Sequence, residues 1–189
     1  MQPYEYVLVL ASIIVGLGIA DLLVSLQRLL RARARVQWDW ATPAATLIVL
    51  MTNIQIWWSL YDPPVKPVTI GGFLPLLVTL ILLFLVTAAT LPDELGEGPF
   101  GLRDYYAANR VYFWVLYSLT LGWTIVSGAA GEAIRGVPLP RLIWQHLPDA
   151  IVLAVMVSMA LVRSRRWHAL VLGFLCVTGP LAWLWRSLG

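Results

Sequence analysis

The sequence predicts an all-α polytopic membrane protein, a bundle of six transmembrane helices. Composition is the first reason: 60% of the 189 residues are hydrophobic and only 12% are charged, where a soluble domain carries about 25% charged residues. The second is that the apolar residues gather in runs of about 20, the length at which a helix crosses a hydrocarbon core. The third is that the arginines sit in short clusters between those runs, the pattern that encodes membrane topology. That pattern also gives the basic pI of 9.3 a meaning other than nucleic-acid binding.

The chain reads as a single transmembrane domain over 1–189, with spans at roughly 5–27, 41–61, 72–91, 111–131, 142–162 and 167–186. The start, MQPYEY, has no basic stretch, and no small-residue cleavage site follows the first apolar run, so that run is expected to be a retained helix. Proline- and glycine-rich breakers separate the spans: "DPPVKPVTIGG", "LPDELGEGPFG" and "RGVPLPR". The fifth span has the most polar beginning, because Gln145, His146, Pro148 and Asp149 crowd its first turns. The longest link, 92–110, mixes acids with Phe100, Leu102, Tyr105 and Tyr106, and is expected to lie along the membrane surface before starting the fourth helix. Trp38, Trp40, Trp57, Trp58, Trp144, Trp167, Trp183 and Trp185 fall near span ends, where one edge of an indole stays wet.

Arginine and lysine set the orientation. Alternate links carry Arg28, Arg31, Arg33, Arg35, Arg103, Arg110, Arg163, Arg165 and Arg166, nine in all, against Lys66, Arg135, Arg141 and Arg186 on the other side. The positive-inside rule puts the nine in the cytoplasm. This implies a multi-pass protein of a plasma membrane, bacterial-type inner membrane included, with both termini outside. Span 1 reads "VLASIIVG" and span 4 "VLYSLTLG", an echo that fits a 3+3 inverted repeat.

Polar residues inside the spans are the candidates for chemistry. At about 1.5 Å per residue, Asp21, Thr46, Thr87, Ser118 and Ser158 share one depth. Asn53, Thr79, Thr124, Asp149 and Thr178 share another, so each layer holds one carboxylate. An intramembrane carboxylate is expensive and marks a pathway by default. Asp21, Asn53, Gln55 and Asp149 are therefore the expected transport-pathway residues. Asp21 is expected to face the bundle interior, with Arg28 two turns on leaning toward it. Asn53 and Gln55, two residues apart, must point to different faces of one helix. The alternative for the hydroxyl groups is plain interhelical bonding.

"HLPD" sets His146 and Asp149 at i and i+3 on one helix face. Glu132 ends span 4 on the same side and Glu5 begins span 1 there. Glu132 and His146 are the expected outer-vestibule residues, offering proton transfer or a divalent-metal site. Ser12, Gly16 and Ala20 form a small-residue stripe suited to close helix packing, within the bundle or in a homo-oligomer. The single cysteine, Cys176, excludes an intrachain disulfide and a Cys-based zinc site. The two histidines lie on opposite sides of the expected topology, which excludes a bis-histidine haem. No cofactor is expected. There is no nucleophile–base motif, phosphate loop or HExxH, so nothing positive in the sequence supports an enzyme, and an intramembrane enzyme is the third reading after a permeation protein and a scaffold.

The leading expectation is a channel or carrier for an ion or small solute in the lipid bilayer. The alternative is a non-transporting scaffold, accessory subunit or sensor. The topology predicts that a reporter fused after Arg35 reads as cytoplasmic and one fused after Gly189 as external. A cytoplasmic reading at Gly189 removes the six-span topology.

Overall fold

A computed structural model describes residues 3–60, 69–96 and 98–183. Lys66, Trp185 and Arg186, counted above, lie outside the described residues. Among these residues there are six helices: α1 (Pro3–Arg31), α2 (Ala41–Ser59), α3 (Ile70–Ala88), α4 (Leu102–Ile134), α5 (Leu139–Leu161) and α6 (Arg165–Trp183). Four of them, α1, α3, α4 and α5, are long and apolar enough to cross a membrane. The other two are diluted by polar residues: α2 by its threonines, Asn53 and Gln55, and α6 by Arg165, Arg166 and His168.

The helices run up and down between two ends. Tyr4 of α1 donates to the Leu60 carbonyl just past α2, and Trp123 of α4 donates to the Pro75 carbonyl near the start of α3 at 2.9 Å. At the opposite end the arginine-bearing links meet. A parallel two-stranded ribbon pairs β1 (Val36–Gln37) with β2 (Phe100–Gly101). Arg28 Nη1 donates to the Asp93 carbonyl at 2.6 Å, and Arg165 pairs with Asp39 at 3.0 Å. The ribbon departs from the all-α expectation, although a strand of two residues is too short to show any alternation in sequence.

α1 buries one seam: Ala11, Val15, Gly18, Leu22, Ser25 and Leu29. Spacings of four and three alternate along it, the repeat that keeps a single face against a neighbour. Ala11 and Val15 pack with Leu80 and Leu83 of α3. α2 is the shared wall of the array and touches α1, α3, α4 and α6. The largest core cluster joins α2, α4, α5 and α6 around Trp114, with Val49, Tyr117, Met156, Met159 and Leu172. Trp114 and Tyr117 stack at 5.9 Å and 17°. The outer surfaces stay apolar: Ile13, Leu17, Leu119, Ile151 and Leu170 are all exposed.

A hydrogen-bond chain pins the α5–α6 junction to α4. Trp114 Nε1 donates to the Tyr106 hydroxyl at 3.0 Å, and that hydroxyl lies 2.8 Å from His168 Nδ1. His168 Nε2 and Arg110 Nη1 both reach the Val162 carbonyl, at 2.9 and 2.5 Å. The matched glycines of the two halves have different surroundings. Gly16 has open space beside it, whereas a side chain at its matched position, Gly122, would meet Leu153.

Gly18 separates tight packing from loose packing. A Cβ there would meet Asn53, Phe84 and Thr87 atoms at 3.6–3.7 Å, ordinary contact, whereas one at Gly16 meets nothing within 4 Å. Gly18→Ala should therefore be neutral in a denaturation series in mild detergent. Gly18→Leu should destabilise by about 1–3 kcal/mol through overpacking, and Gly16→Leu should not. Equal effects at the two glycines would contradict the α1 register.

Candidate functional site

A cleft of about 790 Å³ lies between α2, α4, α5 and α6. α2 supplies Thr52 and Gln55, α4 supplies Tyr117, Thr120 and Thr124, α5 supplies Asp149 and Met156, and α6 supplies Phe174 and Thr178. Two of the expected pathway residues, Gln55 and Asp149, thus line one cavity. Its walls are mostly apolar. Toward the arginine-bearing end it meets the Trp114 cluster, where Val49, Trp114, Met159 and Leu172 are fully buried. Thr52 and Tyr117 hydroxyls join across its floor.

The other two expected pathway residues do not line this cleft. Asn53 faces the opposite side of α2 and is 1% exposed. Its amide donates to the Val49 carbonyl and to Thr87 Oγ1, both at 2.9 Å. Its Oδ1 has no hydrogen-bond partner among the described residues. Asp21 sits half-buried on the shoulder of the α1 seam, one turn past Gly18. The expected pairing with Arg28 is absent, because Arg28 turns away to Asp93.

The outer group is drawn together. His146 Nε2 lies 3.4 Å from Glu132 Oε2, and His146 Nδ1 lies 3.9 Å from Asp149 Oδ2. The ring lies against Gly128 of α4, where a Cβ would make ordinary contact with His146 Cε1 at 3.7 Å. Glu132 Oε2 and His146 Nε2 are both buried without a hydrogen bond. They stand near enough to attract once the imidazole is charged, yet outside hydrogen-bond geometry. Asp149, its side chain 57% exposed, carries this acidic group to the cleft mouth. Among the described residues no group of three or more His, Cys, Asp or Glu is arranged to hold a metal ion.

Most hydroxyls of the two polar layers are satisfied within their own helices. Thr46, Thr79, Thr87 and Thr178 each donate to the carbonyl four residues back, and Thr124 and Ser158 to the one three back. This is the local bonding of such residues inside a helix, so sharing a depth does not by itself make a polar path. Gly16 and Ala20 face outward, and Ser12 accepts from Trp57 Nε1 of α2 at 3.1 Å. Tyr117, Thr52 and Thr120 were missed as site residues. Tyr117 reads as an ordinary membrane-helix aromatic; Thr52 stands at i and i+3 with Gln55 on one helix face, a spacing that could have found it, whereas nothing in the sequence aligns Thr120 with them.

No family model, curated protein or solved structure matches this chain.

The geometry predicts coupling between Glu132 and His146. In a double-mutant cycle with Glu132→Gln and His146→Asn, read by unfolding in detergent, the pair should contribute about 0.2–1 kcal/mol, the scale of partly exposed ion pairs. Additive substitutions would make the two side chains independent.

Proposed function

We propose that the chain crosses a bilayer six times, with both termini on the outer side. We further propose that the cleft between α2, α4, α5 and α6 binds a small amphipathic cation for passage across the membrane. The six-span reading is supported by α2 and α6 matching α3 in length, at 19 residues each, and alternating with the other helices between the same two ends. Apolar residues on the outer surfaces are what lipid solvates, whereas a soluble protein rarely exposes large contiguous apolar patches.

The observation that carries the functional reading is the placing of Gln55 and Asp149 on opposite walls of one largely apolar cleft. An apolar wall suits an apolar body, and the carboxylates of Asp149 and Glu132 at the mouth favour a positive head. A floor closed by buried side chains suits a carrier or binding site better than an open pore. The scaffold alternative has one observation in its favour: Asp21 and Asn53 face elsewhere. Gly16 and Ala20 on the outer face of α1 suit a homo-oligomer in either reading.

The test is uptake of a panel of alkylammonium ions by proteoliposomes. Wild type should take up at least one of them. Asp149→Asn and Gln55→Ala should each weaken half-saturation about fivefold, an interaction of about 1 kcal/mol at an exposed site. Asp21→Asn should leave uptake unchanged. No uptake by folded wild type, or wild-type behaviour of both cleft variants, would favour the scaffold.

A further inference from the structure

At the arginine-bearing end, Arg103 and Arg110 of α4, Arg163 of the link after α5 and Arg165 of α6 line a pocket of about 450 Å³ together with Asp39. Four arginines against one aspartate leave three net positive charges. The aspartate is already engaged: Oδ1 accepts from Ala41 N at 3.2 Å and Oδ2 from Arg165 at 3.0 Å. Arg110 is only 9% exposed, and its one hydrogen bond among the described residues goes to the Val162 carbonyl. Arg103 and Arg163 are exposed and have no hydrogen bond or ion pair among the described residues. Two guanidinium groups with all their donors free, lining one pocket with a third that is buried, offer charge and hydrogen bonds to an anion. Arginine's planar fork matches the oxygens of a phosphate.

The pocket adjoins a second opening of about 690 Å³ that carries Asp104 as its further acid and is flanked by Trp38 and Trp40. Both indoles are exposed, and exposed indoles favour the headgroup level of a bilayer. α4 has 33 residues, well beyond the ~20 that cross hydrocarbon, so its first turns, with Arg103 and Arg110, reach that level too. We propose that this pocket holds the phosphate of an anionic phospholipid headgroup. The inference rests on the bilayer placement proposed above and not on the ligand of the cleft.

The test uses the full-length protein in nanodiscs of mixed phosphatidylglycerol and phosphatidylcholine, with the lipids retained on ejection counted by native mass spectrometry. Wild type should retain phosphatidylglycerol preferentially. The preference should fall about tenfold for each arginine removed in Arg103→Gln and Arg163→Gln, the scale of one lost hydrogen bond to a charged group. Arg31→Gln with Arg33→Gln removes the same charge at the same end outside the pocket and should leave the preference in place. Equal retention of the two lipids, or an equal loss in the Arg31/Arg33 variant, overturns the proposal. Displacement of the lipid by free inorganic phosphate assigns the pocket to a soluble anion and also overturns it. A protein that folds but does not enter nanodiscs removes the bilayer placement and this proposal with it, an outcome separate from any result on alkylammonium uptake.

Discussion

The Asn53 amide, bonded to Thr87 Oγ1 at 2.9 Å, fixes the rotation of α2, and much of the molecule follows from that rotation. The amide nitrogen of a buried carboxamide gains most when both its protons are bonded, because leaving a donor unmade costs more than an average hydrogen bond gains. Here one partner is on α3, the other is the Val49 carbonyl, and Oδ1 lies against Gly18 of α1. Two residues further along a helix is a turn of about 200°. Gln55 is thereby carried to the opposite side, where it lines the cleft with Asp149. One interhelical bond on the α1–α3 side therefore decides what α2 presents to α4, α5 and α6. It also explains why α2 tolerates so many polar residues: with neighbours on several sides, few of them need to meet lipid.

Charge divides between the two ends. The Glu132–His146–Asp149 group stands at the mouth of the cleft, and the pocket at the far end is positive. Between them lies a core of apolar and aromatic side chains. The acidic mouth comes from neighbouring helix ends joined by a short turn. The basic end is assembled from three links widely separated in sequence, held together by the β1–β2 pairing and by the bonds of Arg28, Arg110 and Arg165.

The helices were legible because apolar runs of about 20 residues alternate with prolines and glycines, and each expected span overlaps an observed helix. The buried face of each helix was much less legible. In α1 both the seam and the outer surface are apolar, so the usual contrast between faces is missing. Gly16 and Gly18 look alike in sequence, yet only Gly18 lies in the seam, and the small-residue stripe Ser12, Gly16 and Ala20 falls largely outside it. The outer group was legible because His146 and Asp149 are one turn apart and Glu132 ends the preceding helix. The arginine pocket was not. Its members read one by one as topology signals, and only the folded links bring them together.

The chain from Trp114 to Val162 joins α4 to the α5–α6 junction. The Tyr106 hydroxyl accepts the indole N–H and so has its own proton free for His168 Nδ1. That leaves Nε2 as the protonated nitrogen, which donates to the Val162 carbonyl, a tautomer set by its partners. Arg110 binds the same carbonyl, and Trp167 Nε1 donates to Ser158 Oγ at 2.9 Å across the α5–α6 junction. The junction is thus tied to α4 by several bonds at the arginine-bearing end. Farther from it, α5 and α6 present Asp149, Val152, Phe174 and Thr178 to the cleft, with no hydrogen bond joining the two helices there among the described residues. α5 and α6 are thus joined at the arginine-bearing end, and the cleft lies beyond that junction, with the Trp114 stack beside it.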